Sequence, residues 1–172
     1  MTNMNDKAAI RVGILMGSES DWPTVQHTVL TLDELGVGNE ARVLSAHRSP
    51  DAAGEYAQAA AGRGLQVIIC AAGGAAHLAG VISAHTHLPV LGIPMKGWST
   101  DGLDSLLSTA QMPSGIPVGT LAIGKAGAKN AALLAVAIMS LSDPELRARY
   151  LGFRKTQTEQ VLAIKLPPAG SV

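Results

Sequence analysis

Aromatic side chains are scarce in this chain: two Trp, two Tyr and one Phe among 172 residues. Single-stranded nucleic acid is bound on aromatic stacking platforms, and five rings offer almost none. The same scarcity leaves Ala, Val, Leu and Ile to fill the core. A lone cysteine, Cys70, excludes an internal disulfide framework and fits a reducing compartment. Charge is scarce too. Asp, Glu, Lys and Arg make up 15% of the chain, thirteen acidic against thirteen basic, so the formal net charge is zero. No nucleic-acid or anionic-membrane surface built on net positive charge is expected. The apolar run Ala131–Met139 falls far short of the ~18 residues that span a bilayer. Residues 1–11 mix Asn, Asp and Lys and contain no apolar stretch of the signal-peptide kind. These absences read as a soluble cytoplasmic protein. With so few charges to cover a small domain, apolar surface is left over, and self-association is the usual way to bury it. An oligomer is expected.

What is present is apolar and rich in glycine: 47% hydrophobic residues and nineteen Gly. At ~150 residues per domain, 1–172 reads as one domain, with a flexible start over about 1–10 and a tail at 167–172. Arg11–Met16 is a short apolar run halted at Gly17, the pattern of a strand buried on both faces. Asp21-Trp22-Pro23 opens a helix with Asp21 as N-cap; Val25, Val29, Leu32 and Leu35 follow at helical spacing up to Gly36. Further strands are expected at Ala41–Leu44, Gln66–Ala71, Pro89–Ile93 and Val118–Ile123, and a C-terminal helical arm at about 143–166. The first residues past each strand (Gly17, Ser45, Gly73, Pro94 and Gly124) lie 28, 28, 21 and 30 apart. One strand plus one crossover helix takes about 30 residues. The fold class is therefore α/β, a three-layer sandwich around a mostly parallel, doubly wound, flavodoxin-like sheet.

In such a sheet the carboxyl ends of the strands line one crevice, and ligands bind there. Gly17-Ser18-Glu19-Ser20-Asp21 brings hydroxyls and free backbone N–H groups to a helix start, which suits phosphate; ordinary capping is the competing reading. Ser45-Ala46-His47-Arg48 carries a guanidinium fork, a short donor and an imidazole that exchanges protons near neutrality. Gly73-Gly74-Ala75-Ala76-His77 lets backbone approach a planar ring, or alternatively packs a helix tightly on its strand. It is not a dinucleotide fingerprint, because Ala75 breaks the G-x-G-x-x-G spacing. Gly119–Lys125 starts like a P-loop and fails at Ala126, where the magnesium-binding hydroxyl belongs; Lys125 is left as a charge near the crevice. His85-Thr86-His87 has no neighbouring carboxylate or thiol to complete a metal site. Chemistry in this chain rests on a histidine acting as acid and base.

Taken together these motifs resemble the PurE family of N5-carboxyaminoimidazole ribonucleotide mutases. The resemblance runs from Val12 to about Leu162. It is carried by Met16–Asp21, Ser45–Arg48, Gly73–Leu78 and Gly115–Gly127. It implies an isomerase of purine biosynthesis that needs no cofactor and no metal, assembled as a homo-octamer, moving a carboxyl group from N5 to C4 of the substrate through CO2. By the same resemblance His47 is the general acid and base. Ser18, Asp21, Ser45 and Arg48 hold the ribose 5-phosphate portion, with Asp21 on ribose hydroxyls, while Gly73, Ala75 and His77 line the ring and CO2 pocket.

A second branch of the family carboxylates aminoimidazole ribonucleotide directly and commonly has Lys after the motif histidine, so Arg48 points to the mutase branch. A non-catalytic phosphoribosyl or flavin-binding module is the remaining alternative, and the lack of aromatics counts against flavin. One stretch departs from the family pattern. Lys96-Gly97-Trp98-Ser99-Thr100-Asp101 precedes Gly102-Leu103-Asp104-Ser105, with Asp101 where relatives often have serine. No site residue is expected from that stretch.

Overall fold

The computed structural model describes residues 9–167, 169 and 170; residues 1–8, 168, 171 and 172, part of the expected N-terminal stretch and tail, lie outside the described residues. Five strands form one sheet: β1 (Val12–Met16), β2 (Asn39–Val43), β3 (Val67–Ala72), β4 (Val90–Pro94) and β5 (Gly119–Thr120). The spatial order is β2-β1-β3-β4-β5 and every pairing is parallel. After β1 the chain steps outward to β2, then crosses back over β1 to β3 and continues the other way. Right-handed crossovers place helices on opposite faces when the direction of travel reverses. So α1 (Trp22–Glu34) lies on one face, and α2 (Pro50–Ala60), α3 (Leu78–His85) and α4 (Leu103–Ala110) on the other. Helix α5 (Lys125–Met139) returns to pack beside α1. The expected doubly wound flavodoxin-like fold is the one observed.

Strand alternation divides the interior into two cores. Val12, Ile14 and Met16 of β1 join Val67, Ile69 and Ala71 of β3 beneath α1 and α5. Leu15, Ile68 and Cys70 point the other way, onto Ala53, Tyr56 and Ala57 of α2 and Leu78 and Ile82 of α3. Covered on both faces, β1 and β3 need unbroken apolar runs, which is why no polar alternation marks them. Close packing shows at Gly13, where a Cβ would stand 2.2 Å from Tyr56 Oη.

Three elements differ in extent from expectation: the second strand, expected over Ala41–Leu44, runs instead over Asn39–Val43, because its pairing with β1 begins at Val12 opposite Asn39. The fifth strand, expected over Val118–Ile123, keeps only Gly119 and Thr120 in the ladder. Leu121 and Gly124 still donate to the carbonyls of Gly92 and Pro94 (both 2.9 Å), but the chain is already bending into α5 through Gly124, at φ 72°. The C-terminal arm is α6 (Pro144–Leu162). Its start is firm: Asp143 accepts from Leu146 N–H (2.9 Å) and from Arg11 (2.7 Å). Beyond that, Leu146 is its one fully buried residue. No helix among the described residues is long and apolar enough to cross a membrane.

Candidate active site

All eight residues expected at the site (Ser18, Asp21, Ser45, His47, Arg48, Gly73, Ala75 and His77) line one cavity of about 650 Å³. Small-ligand sites typically occupy ~300–1,000 Å³. The cavity sits at the carboxyl ends of β1, β2, β3 and β4, astride the β1/β3 reversal where neighbouring loops diverge and leave a crevice.

Each loop is built by short-range hydrogen bonds. After β1, Ser18 Oγ accepts from Ser20 N–H (3.3 Å) and from the Ser20 hydroxyl (2.9 Å), while Asp21 accepts from Ser18 N–H (3.2 Å). This reciprocal box caps a single 3-10 turn, Glu19–Asp21. Asp21 therefore occupies the N-cap position of α1, but its side chain makes no cap bond to that helix; it turns back to Ser18. Burial pushes the Asp21 carboxyl above the usual range, against the opposing pull of the Ser18 N–H and the Arg48 charge. After β2, Ser45 Oγ accepts from the N–H groups of His47 (3.3 Å) and Arg48 (3.2 Å), and Ser49 Oγ accepts from Ser45 N–H (2.9 Å). The Ser45 hydroxyl proton is left free to donate.

Arg48 ties the first two loops together, its guanidinium donating to the Gly17 carbonyl at 2.5 Å. That fixes a cation beside the serine-rich turn, an arrangement suited to a phosphate. On the other side, His47 Nε2 lies 2.9 Å from His77 Nδ1, with the rings edge-on at 85°. One nitrogen must donate and the other accept, so a single proton lies across the contact. The geometry equips the pair to receive or release a proton at a ligand.

The β3 loop is held from outside. Ala76 N–H donates to Ser108 Oγ of α4 (3.0 Å), and Ser108 in turn donates to the Asp104 carbonyl (2.8 Å). Ser108 escapes a reading from sequence because a serine within an amphipathic helix carries no distinguishing signal. Met95, Lys96 and Gly97, past β4, also line the cavity, although nothing was expected of them. Lys125 is exposed at the start of α5, near His27, and does not line the cavity. His85 contacts Gln58, and among the described residues no group of three His, Cys, Asp or Glu is placed to hold a metal ion.

Fold and site together define a class: a doubly wound α/β protein whose switch-point crevice is equipped for an anionic ligand and for proton transfer. Within that class, the AIR carboxylase family model matches residues 11–160, and the chain belongs to this family. Over 151 residues it is 56% identical to the N5-carboxyaminoimidazole ribonucleotide mutase of Pseudomonas aeruginosa, covering 88% of this chain and 93% of that one. With the mutase of Escherichia coli K12 it shares 52% over 162 residues, covering 94% and 95%. The crystal structure of Treponema denticola PurE superposes with a TM-score of 0.79 at 28% identity, covering 88% of this chain and 93% of that one.

Proposed function

We propose that this chain is an N5-carboxyaminoimidazole ribonucleotide mutase, an isomerase of purine biosynthesis, with His47 as its acid–base residue. The observation that carries the reading is the convergence of His47, Arg48 and the Ser18 turn on one cavity, in a chain 56% identical to a mutase. Arg48, Ser18 and Ser45 take the phosphate, Asp21 accepts from ribose hydroxyls, and the Gly73–Ala75 backbone underlies the imidazole. His47, protonated, gives its proton to N5 as the N–C bond breaks and CO2 departs. The C4 carbon then attacks the retained CO2, and His47 takes up the C4 proton, restoring its starting state. His77 holds the His47 ring in register between the two transfers. The small side chains of Gly73, Gly74 and Ala75 let the imidazole and the retained CO2 lie close against the backbone.

Replacing His47 with Asn is expected to lower turnover by about 10²–10⁴-fold while the ribonucleotide still binds. Turnover that survives with binding lost would sink the assignment. The direct-carboxylase reading is separated by feeding unmodified aminoimidazole ribonucleotide with bicarbonate. Slow turnover at modest CO2, beside rapid turnover of the N5-carboxylated substrate, is the expected pattern.

Two further parts of the reading concern the whole chain. It works in the cytoplasm as one domain, and it assembles as a homo-oligomer, an octamer by family resemblance. What supports assembly is the apolar surface along α6 and beyond, where Leu151, Val161, Leu162, Ile164 and Leu166 are all exposed.

A further inference from the structure

The loop after β4 forms the cavity wall beyond the β3 loop. Met95, Lys96 and Gly97 border the cavity; a 3-10 turn, Trp98–Thr100, follows, and Asp101 and Gly102 lead into α4. The base of this loop is rigid. The buried Ser105 hydroxyl shares its one proton between the carbonyls of Met95 (2.7 Å) and Gly102 (2.9 Å), fastening both ends to one side chain. A Cβ on Gly102 would stand 2.9 Å from Ile123 and 3.3 Å from the Lys96 Cα, so outgoing and returning strands are pressed together. Asp101 has φ 54°, the one positive value at a non-glycine residue among those described, and Asp is among the few side chains that tolerate it.

That backbone turn aims Asp101 across the loop mouth at Lys96, with Oδ1 to Nζ at 3.0 Å. The two side chains are 66% and 73% exposed. Pairs this open to water are worth little, so a better anion inside the cavity can take the ammonium away from Asp101. The cavity has two lining cations, Arg48 past β2 and Lys96 past β4. β1 and β3 lie between those strands, so at ~4.8 Å per step the loops that carry the two cations leave the sheet roughly 14 Å apart, one on each side of the crevice. The substrate of the proposed reaction also has two anionic ends, a phosphate and a carboxylate.

We infer that Lys96 is a specificity residue: it leaves Asp101 to pair with the ligand carboxylate, while Arg48 and the serine turns hold the phosphate. The inference rests on the ribonucleotide reading and deepens it. An ammonium there meets the carbamate on N5 and the carboxylate on C4 alike. It finds no partner on the decarboxylated aminoimidazole ribonucleotide. Lys96 thus sets the preference for carboxylated ligands over the bare amine, and Asp101 parks the charge when no carboxylate is present.

Calorimetric binding of the C4-carboxylated product and of aminoimidazole ribonucleotide to the intact protein tests this. Lys96→Met keeps most of the side-chain stem and removes the charge. It should weaken the product about tenfold or more and leave the bare amine within about twofold. Lys96→Arg should restore most of the loss, and Asp101→Asn should leave product binding equal or tighter. Equal weakening of both ligands by Lys96→Met, no weakening of either, or looser product binding in Asp101→Asn would overturn the inference. Were the unmodified protein to bind neither ribonucleotide, the functional reading itself would fall, and this inference with it.

Discussion

Asp21 is where folding and binding pull in opposite directions. Its carboxyl is half-buried and holds its proton more tightly in the folded chain than in the unfolded one, chiefly through burial. A group raised in this way adds stability below its unfolded pKa, and that contribution disappears as pH rises through the folded value. At neutral pH the ionised carboxylate is therefore a cost to the fold, one that the proposed contact with ribose hydroxyls accounts for. Asparagine retains an acceptor for the Ser18 N–H and drops the charge. Asp21→Asn should leave the melting temperature at pH 7 unchanged or raised, weaken ribonucleotide binding about tenfold, and lose any stability advantage as the pH is lowered. A melting temperature lowered at pH 7 would contradict this. Cys70 makes the opposite case: wholly buried, its thiol is pushed far up by desolvation, so thiolate is scarce. Thiol reagents should modify it only as fast as the protein unfolds, which stopped labelling at rising denaturant would follow. At this scale the sequence is legible wherever a strand end can be counted. Ser18, Ser45, His47, Arg48, Gly73, Ala75 and His77 all follow from position after an apolar run. Ser108 and Lys96 do not, because one acts from inside a helix and the other from a loop whose course depends on a single left-handed aspartate.

Among the elements, α5 is the most tightly constrained. At its third residue, Gly127, a Cβ would stand 1.7 Å from the Ala122 carbonyl oxygen. That neighbour is backbone and cannot swing aside. Gly127→Ala should destabilise the protein by at least about 2 kcal/mol in denaturant unfolding, toward the upper end of overpacking costs. Gly13→Ala meets a side chain instead, and should break the 2.8 Å hydrogen bond from Tyr56 to Glu40 before it disturbs β1 itself. A milder loss of stability is expected there. Strands β1, β3 and β4 could be read from their apolar runs because burial on both faces leaves no alternative pattern, whereas β2, Asn39–Val43, is a half-exposed edge strand whose start the sequence leaves open. The shortness of β5 could not, since Val118–Ile123 is as apolar as the others, and only the turn at Gly124 and the contact at Gly127 pull its end out of the ladder.

For the molecule as a whole, α6 raises the question of what covers it. Leu162 is 79% exposed and Val161 66%, and together with Leu151 they keep apolar surface in water that a monomer has no reason to retain. Sedimentation should give a mass of several times 17.6 kDa, and charging the arm with Val161→Glu and Leu162→Glu should shift it toward the monomer. A wild-type protein that sediments as a single chain would refute the assembly. The cavity floor sets a different kind of limit. Gly73 and Gly74 are already pared to hydrogens, so substitution at either can only add atoms. Variants at these two glycines can shrink the range of ligands this scaffold admits but cannot widen it; room for a bulkier base would have to come from Ala75, by a single methyl group, or from rebuilding the far wall.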